Sequence, residues 1–392
     1  MALLFLGRSW FLSTLVFYPV IGIAIHYLIK IIRRRNLSKQ NLKNIKYWII
    51  TIVGFILIID MSLRVFAEKY QSYSEKNYGL FYISPYTNGY DLLKNKLWNT
   101  NTGFEHCHKK NSNYIFQTKD FSYTHKYNEL GIREKSELVE LIKDKTTILT
   151  IGDSFTEGVG THQDSTWQIL LQKRLNDSSQ NNYYVINAGI SGHDPEMSIE
   201  LYTQLDSILH PDNLMLSISE NDMLDLINRR NCKKTNSYLI KKQPLGYYFY
   251  SWSYIFRAVS HVFYDYPEFF MNKDELNELE IEACTKIYNQ ILALQQKAND
   301  KNTNLYIITF PDFHACQNYD YQSNAYKDLI NKLKNNEDII LIDILDFYQN
   351  NQNAFIIPIT YLYWPIDGHM TPLGYRMWSE IVFTGLLENN FL

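Results

Sequence analysis

The sequence predicts an α/β domain of three layers, in which helices cover both faces of a five-stranded parallel sheet, preceded by two N-terminal transmembrane helices. Two long apolar stretches open the chain and favour a membrane anchor. From residue 146 onward, short β-branched apolar runs alternate with segments of helical periodicity, which is typical of a parallel sheet. Glycine, serine, asparagine and histidine residues follow several runs, at the sheet edge where such domains place their chemistry.

The composition narrows the class of protein. With 392 residues, of which 46% are hydrophobic and 20% charged, the chain is mostly globular rather than disordered. A formal net charge of −3 argues against a nucleic-acid partner, because phosphate binding needs a basic surface. The cysteines have no C-x-x-C spacing, so no metal site is expected; they are Cys107, Cys232, Cys284 and Cys316. Outside the cytoplasm they could form one or two disulfides, with the pairing left open.

Residues 1–66 are predicted to form a membrane anchor of two helices, over 9–32 and 45–65, each close to the roughly 20 residues that cross a bilayer. The connector Lys30–Lys46 carries seven basic residues and no acidic one. The positive-inside rule therefore puts this loop in the cytoplasm and the chain after the second helix outside. A signal peptide is the alternative for the first stretch, which lacks a basic start and a cleavage site. Asp60 is expected at the outer interface.

Residues 67–145 are rich in tyrosine and asparagine and are predicted to form a collar or linker between the membrane and the α/β domain. The short segment Tyr114–Gln117 is predicted to be extended, and Tyr127–Arg133 a turn that leads into the first strand of the sheet. Arg133 could contact an anion, but a structural salt bridge is the favoured interpretation.

The domain over residues 146–392 alternates strands and helices. The predicted strands are Thr147–Ile151, Tyr183–Asn187, Asn213–Ser219, Asn304–Phe310 and Asp338–Ile342. Helices are predicted from Asp164, from Pro195, around Leu279–Leu294 and from Pro372. Five parallel strands with right-handed crossovers fit the flavodoxin-like order 2-1-3-4-5.

Residues 223–275 interrupt this alternation with basic and then aromatic residues. We interpret the segment as an insertion beside the site. It could be a lid, a sugar-stacking surface or a membrane-contacting flap, and simple packing onto the fold is the plain alternative.

Four segments that follow predicted strands supply the parts that acyl transfer needs. They contribute, in chain order, Ser154, Gly192, Asn221 and the pair Asp367 and His369. A serine hydroxyl is a weak nucleophile until an imidazole takes its proton, and a carboxylate holds that imidazole in the required tautomer. We therefore predict Ser154 as nucleophile, His369 as base and Asp367 as orienting acid. Ser154, the Gly192 N–H and the Asn221 amide form the predicted oxyanion hole, with Gly189 as the alternative glycine.

These segments resemble the SGNH (GDSL-type) hydrolase superfamily over about residues 146–390. The family's four blocks are matched in order by Gly152-Asp153-Ser154, Gly192, Asn221-Asp222 and the pair Asp367 and His369. The resemblance implies a three-layer α/β/α fold and ester hydrolysis or acyl transfer without metal or cofactor, often on carbohydrate esters. The Asn128–Arg133 turn and the two-span anchor look like membrane-anchored bacterial members of that family.

The chain departs from the family pattern at two positions. Ser219 stands where the third block usually has glycine. The common Asp-x-x-His spacing would put the acid at Ile366, whereas Asp367 lies two residues before His369. That shorter spacing is seen in similar polysaccharide O-acetyltransferases and some esterases.

Four other polar residues near the predicted site are expected not to take part in the reaction. Asp153 is expected to brace the serine turn, Asp222 to be structural, Thr371 to cap the last helix and His193 to be a surface histidine.

The sequence therefore predicts a serine esterase or deacylase in the cytoplasmic (inner) membrane, with its catalytic domain in the periplasm. Its substrates would be acyl or acetyl esters of a cell-envelope or secreted glycan, or a small ester. An O-acyltransferase with the same triad is one alternative, and a non-catalytic glycan-binding subunit, which the intact triad disfavours, is another. The acyl chain, the oligomeric state and the protein partners stay open at this stage.

Overall fold

The computed structural model describes residues 39–71, 108–228, 253, 255, 273–351 and 357–391. The chain divides into two units, one of residues 1–91 and 243–272, the other of 92–242 and 273–392. The first predicted membrane helix, over 9–32, lies outside the described residues.

In the first unit, helix α1 (Lys39–Gln71) contains the second apolar stretch. Its residues Lys43–Ser62 have a mean hydropathy of 1.8 and are long and apolar enough to cross a bilayer. Asp60, near the end of this stretch, accepts hydrogen bonds from Ser253 Oγ at 2.8 Å and from the Ile255 N–H at 2.9 Å. Ser253 and Ile255, the two residues described between α6 and α7, thus contact α1 from within the segment predicted as an insertion.

The second unit begins, in its described part, with a β-hairpin of β1 (Ser112–Gln117) and β2 (Ser122–Tyr127). Side chains on the two faces of the hairpin alternate in exposure. The less exposed face carries a series of aromatic contacts, among Tyr114, Phe116, Phe121, Tyr123 and His125. The short helix α2 (Leu138–Leu141) then leads to the sheet.

A parallel sheet of five strands organises this unit, in the order β4-β3-β5-β6-β7. The strands are β3 (Thr146–Gly152), β4 (Tyr183–Gly189), β5 (Asn213–Ile218), β6 (Asn304–Thr309) and β7 (Ile340–Asp343). Every residue of β4 and β5 is buried, as expected when helices cover both faces of a sheet. The predicted order 2-1-3-4-5 is confirmed, and each strand begins and ends within two residues of its predicted limits.

Helices cover both faces of the sheet and complete the three layers. One face carries α4 (Trp167–Ser178), α10 (Ile344–Asn350) and α11 (Pro372–Glu388). The other carries α5 (Pro195–Leu209), α6 (Glu220–Asn228), α7 (Lys273–Asn299) and α9 (Asn324–Lys334). Two short helices, α3 (Ser154–Glu157) and α8 (Phe313–Asn318), follow strand ends.

The four helices that the sequence predicted are present as α4, α5, α7 and α11. Thr371 caps α11 as expected, since its Oγ1 accepts the Gly374 N–H at 3.2 Å. Helix α6 runs on to Asn228, so the first residues of the predicted insertion over 223–275 are helical.

Candidate active site

Three neighbouring strands bring the predicted site loops to one edge of the sheet. Strands β4, β3 and β5 pair in parallel, so the loops after them lie at the same edge. The Ile190 N–H, just after β4, donates to the Gly152 oxygen of β3 at 3.0 Å. The loops that carry Ser154, Gly192 and Asn221 therefore start from adjacent strand ends.

The turn from β3 into α3 places Ser154 at the first position of a helix. Gly152 ends β3 with a φ of 154°, and a Cβ there would lie 2.3 Å from Thr156 Oγ1, so only glycine fits. Asp153 caps α3 because its Oδ1 accepts the Phe155 N–H at 2.9 Å. Asp153 thus braces the turn as predicted. Ser154 keeps 9% of its surface exposed.

Gly189, at the end of β4, lets α3 approach the sheet closely. A Cβ at this position would lie 2.2 Å from the Glu157 backbone nitrogen. The Gly189 N–H donates to Asn187 Oδ1 at 3.1 Å. Because that N–H is paired within the protein, Gly189 is unsuited to the oxyanion role considered for it.

The loop before α11 turns back on itself and presents His369. Tyr363 and Met370 form an antiparallel bridge at its base. The Trp364 N–H donates to the His369 oxygen at 2.8 Å, and the Gly368 N–H donates to the Trp364 oxygen at 2.9 Å. Gly368 has a φ of 81°, a backbone conformation that favours glycine.

The hydroxyl, imidazole and carboxylate of the predicted triad form a continuous hydrogen-bonded series. His369 Nε2 lies 2.7 Å from Ser154 Oγ. On the other side of the ring, His369 Nδ1 bonds Asp367 Oδ1. Since an ionised carboxylate only accepts hydrogen bonds, Nδ1 carries the proton and Nε2 is left to accept from the serine hydroxyl. The Asp367 side chain is fully buried and that of His369 is 12% exposed.

The two further residues of the predicted oxyanion hole flank the serine strand. Gly192 follows β4 and has a φ of 78°. Asn221 is exposed and lies in the first turn of α6, directly after β5. Ser154 itself opens α3, and the first N–H groups of a helix have no partner within it.

Comparison with known proteins assigns a family. Residues 150–377, more than half of the chain, match the GDSL-like lipase/acylhydrolase family. The chain belongs to the GDSL-like acylhydrolases. The protein is therefore a hydrolase that acts on ester bonds. No curated protein matches the chain.

Several solved structures are similar to this acylhydrolase. TesA shares 16% identity with a TM-score of 0.39, covering 61% of this chain and 97% of its own. The acetyl xylan esterase AlAXEase shares 16% identity with a TM-score of 0.37, covering 61% and 99%. The psychrotrophic esterase EstA from Pseudoalteromonas sp. shares 13% identity with a TM-score of 0.37, covering 63% and 100%. The sequence match, rather than these structures, establishes the family.

Ser219, where this acylhydrolase departs from the usual glycine, links two blocks of the site. Its N–H donates to Asp222 Oδ2 at 2.6 Å, and its hydroxyl donates to Asp153 Oδ2 at 3.2 Å. Burial raises the pKa of Asp153 to about 6. Burial and the neighbouring Asp153 raise the pKa of Asp222 well above its ordinary value. The Ser219 hydroxyl thus connects the serine turn to the loop before Asn221.

Arg133 of this acylhydrolase forms neither of the contacts that the sequence suggested. Its Nη1 donates to the carbonyl oxygens of Glu157 at 2.9 Å and Gly158 at 2.6 Å. Its Nη2 donates to the Thr161 oxygen at 2.8 Å, and the side chain is only 1% exposed. The guanidinium therefore satisfies carbonyl groups at and beyond the end of α3, rather than an anion or a carboxylate.

A buried cluster of two histidines and a tyrosine around the carboxylate of Glu157, the last residue of α3, was not predicted from the sequence. Glu157 Oε1 accepts the Tyr127 hydroxyl at 2.7 Å and lies 3.2 Å from His125 Nδ1 and 3.1 Å from His108 Nε2. Burial alone would raise the pKa of Glu157, but His108 and His125 hold it well below its usual range. Burial lowers the pKa of His125 to about 4.

Two smaller expectations also need correction. His193, in the loop after β4, is completely buried and is therefore not a surface residue. Cys284 and Cys316 are buried free thiols, so neither takes part in the disulfides considered above. Burial raises the pKa of each thiol to about 12.

Within the described residues, no cluster of acidic, histidine or cysteine side chains could hold a metal ion.

Proposed function

We propose that this ester hydrolase works through Ser154 as nucleophile, His369 as general base and Asp367 as the group that orients the imidazole. The observation that carries the proposal is the position of His369, hydrogen-bonded to Ser154 Oγ through Nε2 and to Asp367 through Nδ1. The reaction needs that geometry, because the serine hydroxyl becomes a strong nucleophile only as its proton leaves.

The first half of the reaction forms an acyl-serine. Ser154 Oγ attacks the ester carbonyl while its proton passes to His369 Nε2, and Asp367 stabilises the imidazolium that results. The tetrahedral intermediate collapses with cleavage of the C–O bond, and the Nε2 proton goes to the leaving alcohol. In the second half His369 deprotonates a water that attacks the acyl carbon. The Ser154 oxygen leaves with the proton returned by the imidazolium, and the free acid departs.

The oxyanion of both intermediates would be stabilised by the Ser154 and Gly192 N–H groups and by the Asn221 side-chain amide. The segments that carry these three groups follow β3, β4 and β5, which are neighbours in the sheet. Fixed donors of this kind stabilise the charge that develops in the transition state, and removing one typically lowers kcat by about 10²–10³.

We also propose that the protein is anchored in the cytoplasmic membrane by two helices, over 9–32 and 45–65, with the hydrolase unit on the outer side. The apolar stretch Lys43–Ser62 within α1 and the basic connector Lys30–Lys46 support this orientation. The bonds from Ser253 and Ile255 to Asp60 favour a membrane-contacting role for the aromatic insertion over a lid or a sugar-stacking surface.

The proposed substrates are acyl esters, with acetyl as the acyl group, on a glycan of the cell envelope or a secreted glycan. An anchored hydrolase on the outer side of the membrane meets such esters directly. The similarity of its four sequence blocks to enzymes that often act on carbohydrate esters supports the same substrate class.

The full-length protein in detergent or nanodiscs, incubated with an O-acetylated glycan, tests this function. We expect wild-type protein to release acetate and Ser154→Ala to release none. Acetyl groups recovered on an added glycan acceptor, in excess of free acetate, would instead establish the acyltransferase alternative. Equal inactivity of wild type and Ser154→Ala, with no labelling of Ser154 by a serine-reactive phosphonate, would overturn the enzymatic role.

A reporter fused after residue 70 tests the orientation. Activity of a periplasm-dependent reporter is expected. Activity of a cytoplasm-dependent one would reverse the topology.

A further inference from the structure

The hairpin of β1 and β2 contacts the loop that carries Asp367. Asp120 lies in the turn between the two strands, and its Oδ2 accepts the N–H groups of Ile366 at 2.9 Å and of Asp367 at 2.7 Å. One carboxylate oxygen thus holds two consecutive peptide groups. This contact comes from outside residues 150–377, the part of the chain that matches the family.

The contact fixes the backbone at the residue whose side chain orients the imidazole. Asp367 and His369 are separated by one residue, Gly368, whose φ of 81° belongs to a conformation available mainly to glycine. Because the segment is so short, a rotation of the backbone at Asp367 moves the Asp367 carboxylate relative to the His369 ring. Charge-assisted bonds from Asp120 oppose such rotation, because a carboxylate that accepts peptide N–H groups makes stronger bonds than a neutral acceptor.

Aromatic packing holds the hairpin turn against the same loop. The Phe121 ring lies 5.6 Å from the Trp364 ring, measured between centroids. Trp364 Nε1 donates to the Gly160 oxygen at 2.9 Å, and its backbone N–H donates to the His369 oxygen at 2.8 Å. Trp364 therefore connects the hairpin, the chain after α3 and the imidazole-bearing residue.

The far end of the hairpin reaches the loop that carries Gly192. Tyr127 and His125 of β2 contact Glu157 Oε1, as described above. The other oxygen of this carboxylate, Glu157 Oε2, accepts the Ser191 N–H at 2.7 Å and the Ser191 hydroxyl at 2.6 Å. Ser191 directly precedes Gly192, so the bonds fix the backbone that leads to the proposed oxyanion donor.

We propose that the hairpin of β1 and β2 is a positioning element of the active site, with Asp120 holding the Asp367–His369 loop and Tyr127, through Glu157, holding the Gly192 loop. The proposal rests on the roles given above to His369, Asp367 and Gly192. It assigns to the segment before the family domain a part in the reaction rather than a purely connecting one. Asp120 and Tyr127 are positioning residues, since they act through other side chains.

Asp120→Ala in the full-length protein tests the first contact. We expect kcat for p-nitrophenyl acetate to fall about 10- to 100-fold with little change in KM, because a small displacement of a catalytic group has effects of this size. A loosened Asp367 stabilises the imidazolium less, so the acid limb of the kcat–pH profile should move to lower pH. Asp120→Asn keeps an oxygen that accepts both N–H groups and should restore most of the activity.

Lys119→Ala, an exposed neighbour in the same turn, is the matched control and should behave as wild type. Tyr127→Phe tests the second contact and should lower kcat several-fold without moving the acid limb, because it does not touch the imidazole loop. If Asp120→Ala leaves both kcat and the acid limb unchanged, the positioning role of Asp120 is overturned. If Tyr127→Phe leaves kcat unchanged, the role of Tyr127 is overturned. A fall in thermal stability alone would rescue neither role.

A second readout separates this proposal from the proposed function. The His369 ring, isotope-labelled and followed by NMR, should titrate at lower pH in Asp120→Ala than in wild type, whether or not the protein turns over an ester. If wild type hydrolyses no ester and the titration still shifts, the proposed function fails and the positioning role stands. If the titration of His369 is identical in both proteins, the positioning role fails.

Discussion

His369 Nε2 lies 2.7 Å from Ser154 Oγ, although the two residues are 215 positions apart in the chain. Ser154 follows β3, the first strand of the sheet along the chain, and His369 lies in a loop after β7, the last one. The contact therefore exists only when the whole sheet and its flanking helices have formed. Esterase activity should therefore be lost whenever the five-stranded sheet of the second unit is not fully folded.

Replacing either partner of this contact should remove activity. We expect Ser154→Ala and His369→Gln each to lower kcat for p-nitrophenyl acetate by roughly 10³–10⁶, because nucleophile and base act as one unit. Ser207→Ala, on an exposed position of α5, is the matched serine control and should retain wild-type kinetics. A Ser154→Ala variant with wild-type kcat would show that another group performs the attack.

The position of the orienting acid can be tested within one loop. Asp367→Asn should lower kcat by roughly 10²–10⁴, because the amide no longer stabilises the imidazolium. Moving the acid to the commoner spacing, with Ile366→Asp and Asp367→Ala together, should not restore activity. Ile366 is 44% exposed, whereas the Asp367 side chain is fully buried against the imidazole. Recovery of kcat in the double variant would show that the loop readily accepts either spacing.

Asn221→Ala should lower kcat by about 10²–10³ and leave KM nearly unchanged, since an oxyanion donor acts mainly in the transition state. Thermal stability should barely change, because Asn221 is exposed in the first turn of α6. Asn331→Ala, exposed on α9, serves as the matched control. Steady-state kinetics that show a raised KM with an unchanged kcat would assign Asn221 to ground-state binding instead.

The buried cluster around Glu157 should make the protein acid-sensitive. Burial lowers the pKa of His125 from 6.5 to about 4, so between these values the unfolded chain binds a proton that the folded one does not. The free energy of unfolding should therefore fall by about 3 kcal/mol as the pH decreases from 6.5 toward 4, because protons bind to the unfolded chain first. Above pH 6.5 His125 is neutral in both states and this loss is absent.

Thermal unfolding at a series of pH values tests this effect. His125→Asn keeps a donor near Glu157 but does not titrate, so its unfolding temperature should fall less between pH 6.5 and 4 than that of wild type. His210→Asn, an exposed histidine at the end of α5, is the control and should follow wild type. Parallel pH curves for His125→Asn and wild type would contradict the assignment.

Asp60 should hold the aromatic segment against α1. Asp60→Leu removes the acceptor of the Ser253 and Ile255 bonds, whereas Asp60→Asn keeps one. With Cys107 and Cys232 replaced by serine, the introduced Ile255→Cys thiol should react faster with maleimide in the leucine variant than in the asparagine variant. Equal labelling rates would show that Asp60 does not fix this segment.

The sheet and the meeting of Ser154, Asp367 and His369 could be predicted because their sequence signals are local. Runs such as Thr147–Ile151 and Tyr183–Asn187 are buried on both faces and therefore almost wholly apolar. Ser154, Asp367 and His369 each occupy a short segment whose residue types are restricted by the chemistry, and strand order then determines which segments meet.

The residues around the triad could not be predicted because their roles depend on partners far along the chain. Arg133 was expected to meet an anion or a carboxylate, yet its acceptors are three backbone carbonyl oxygens, which carry no sequence signal. Asp120 meets residues more than 240 positions later. Glu157 carries no sequence signal of its surroundings, because its partners His108, His125 and Tyr127 meet it only in the folded chain. His193, a histidine in a polar loop, gave no sign of its complete burial.

The late position of His369 has a consequence for biosynthesis. At about 5–20 residues per second, the ribosome needs roughly 10–40 s to travel from Ser154 to His369. During that interval the emerging chain carries the Ser154 hydroxyl but lacks the His369 imidazole, so with the roles proposed above we expect it to hydrolyse no ester. A chain that stalls or is cut before the final loop should likewise be inactive, so unfinished chains would need no inhibitor to prevent premature hydrolysis.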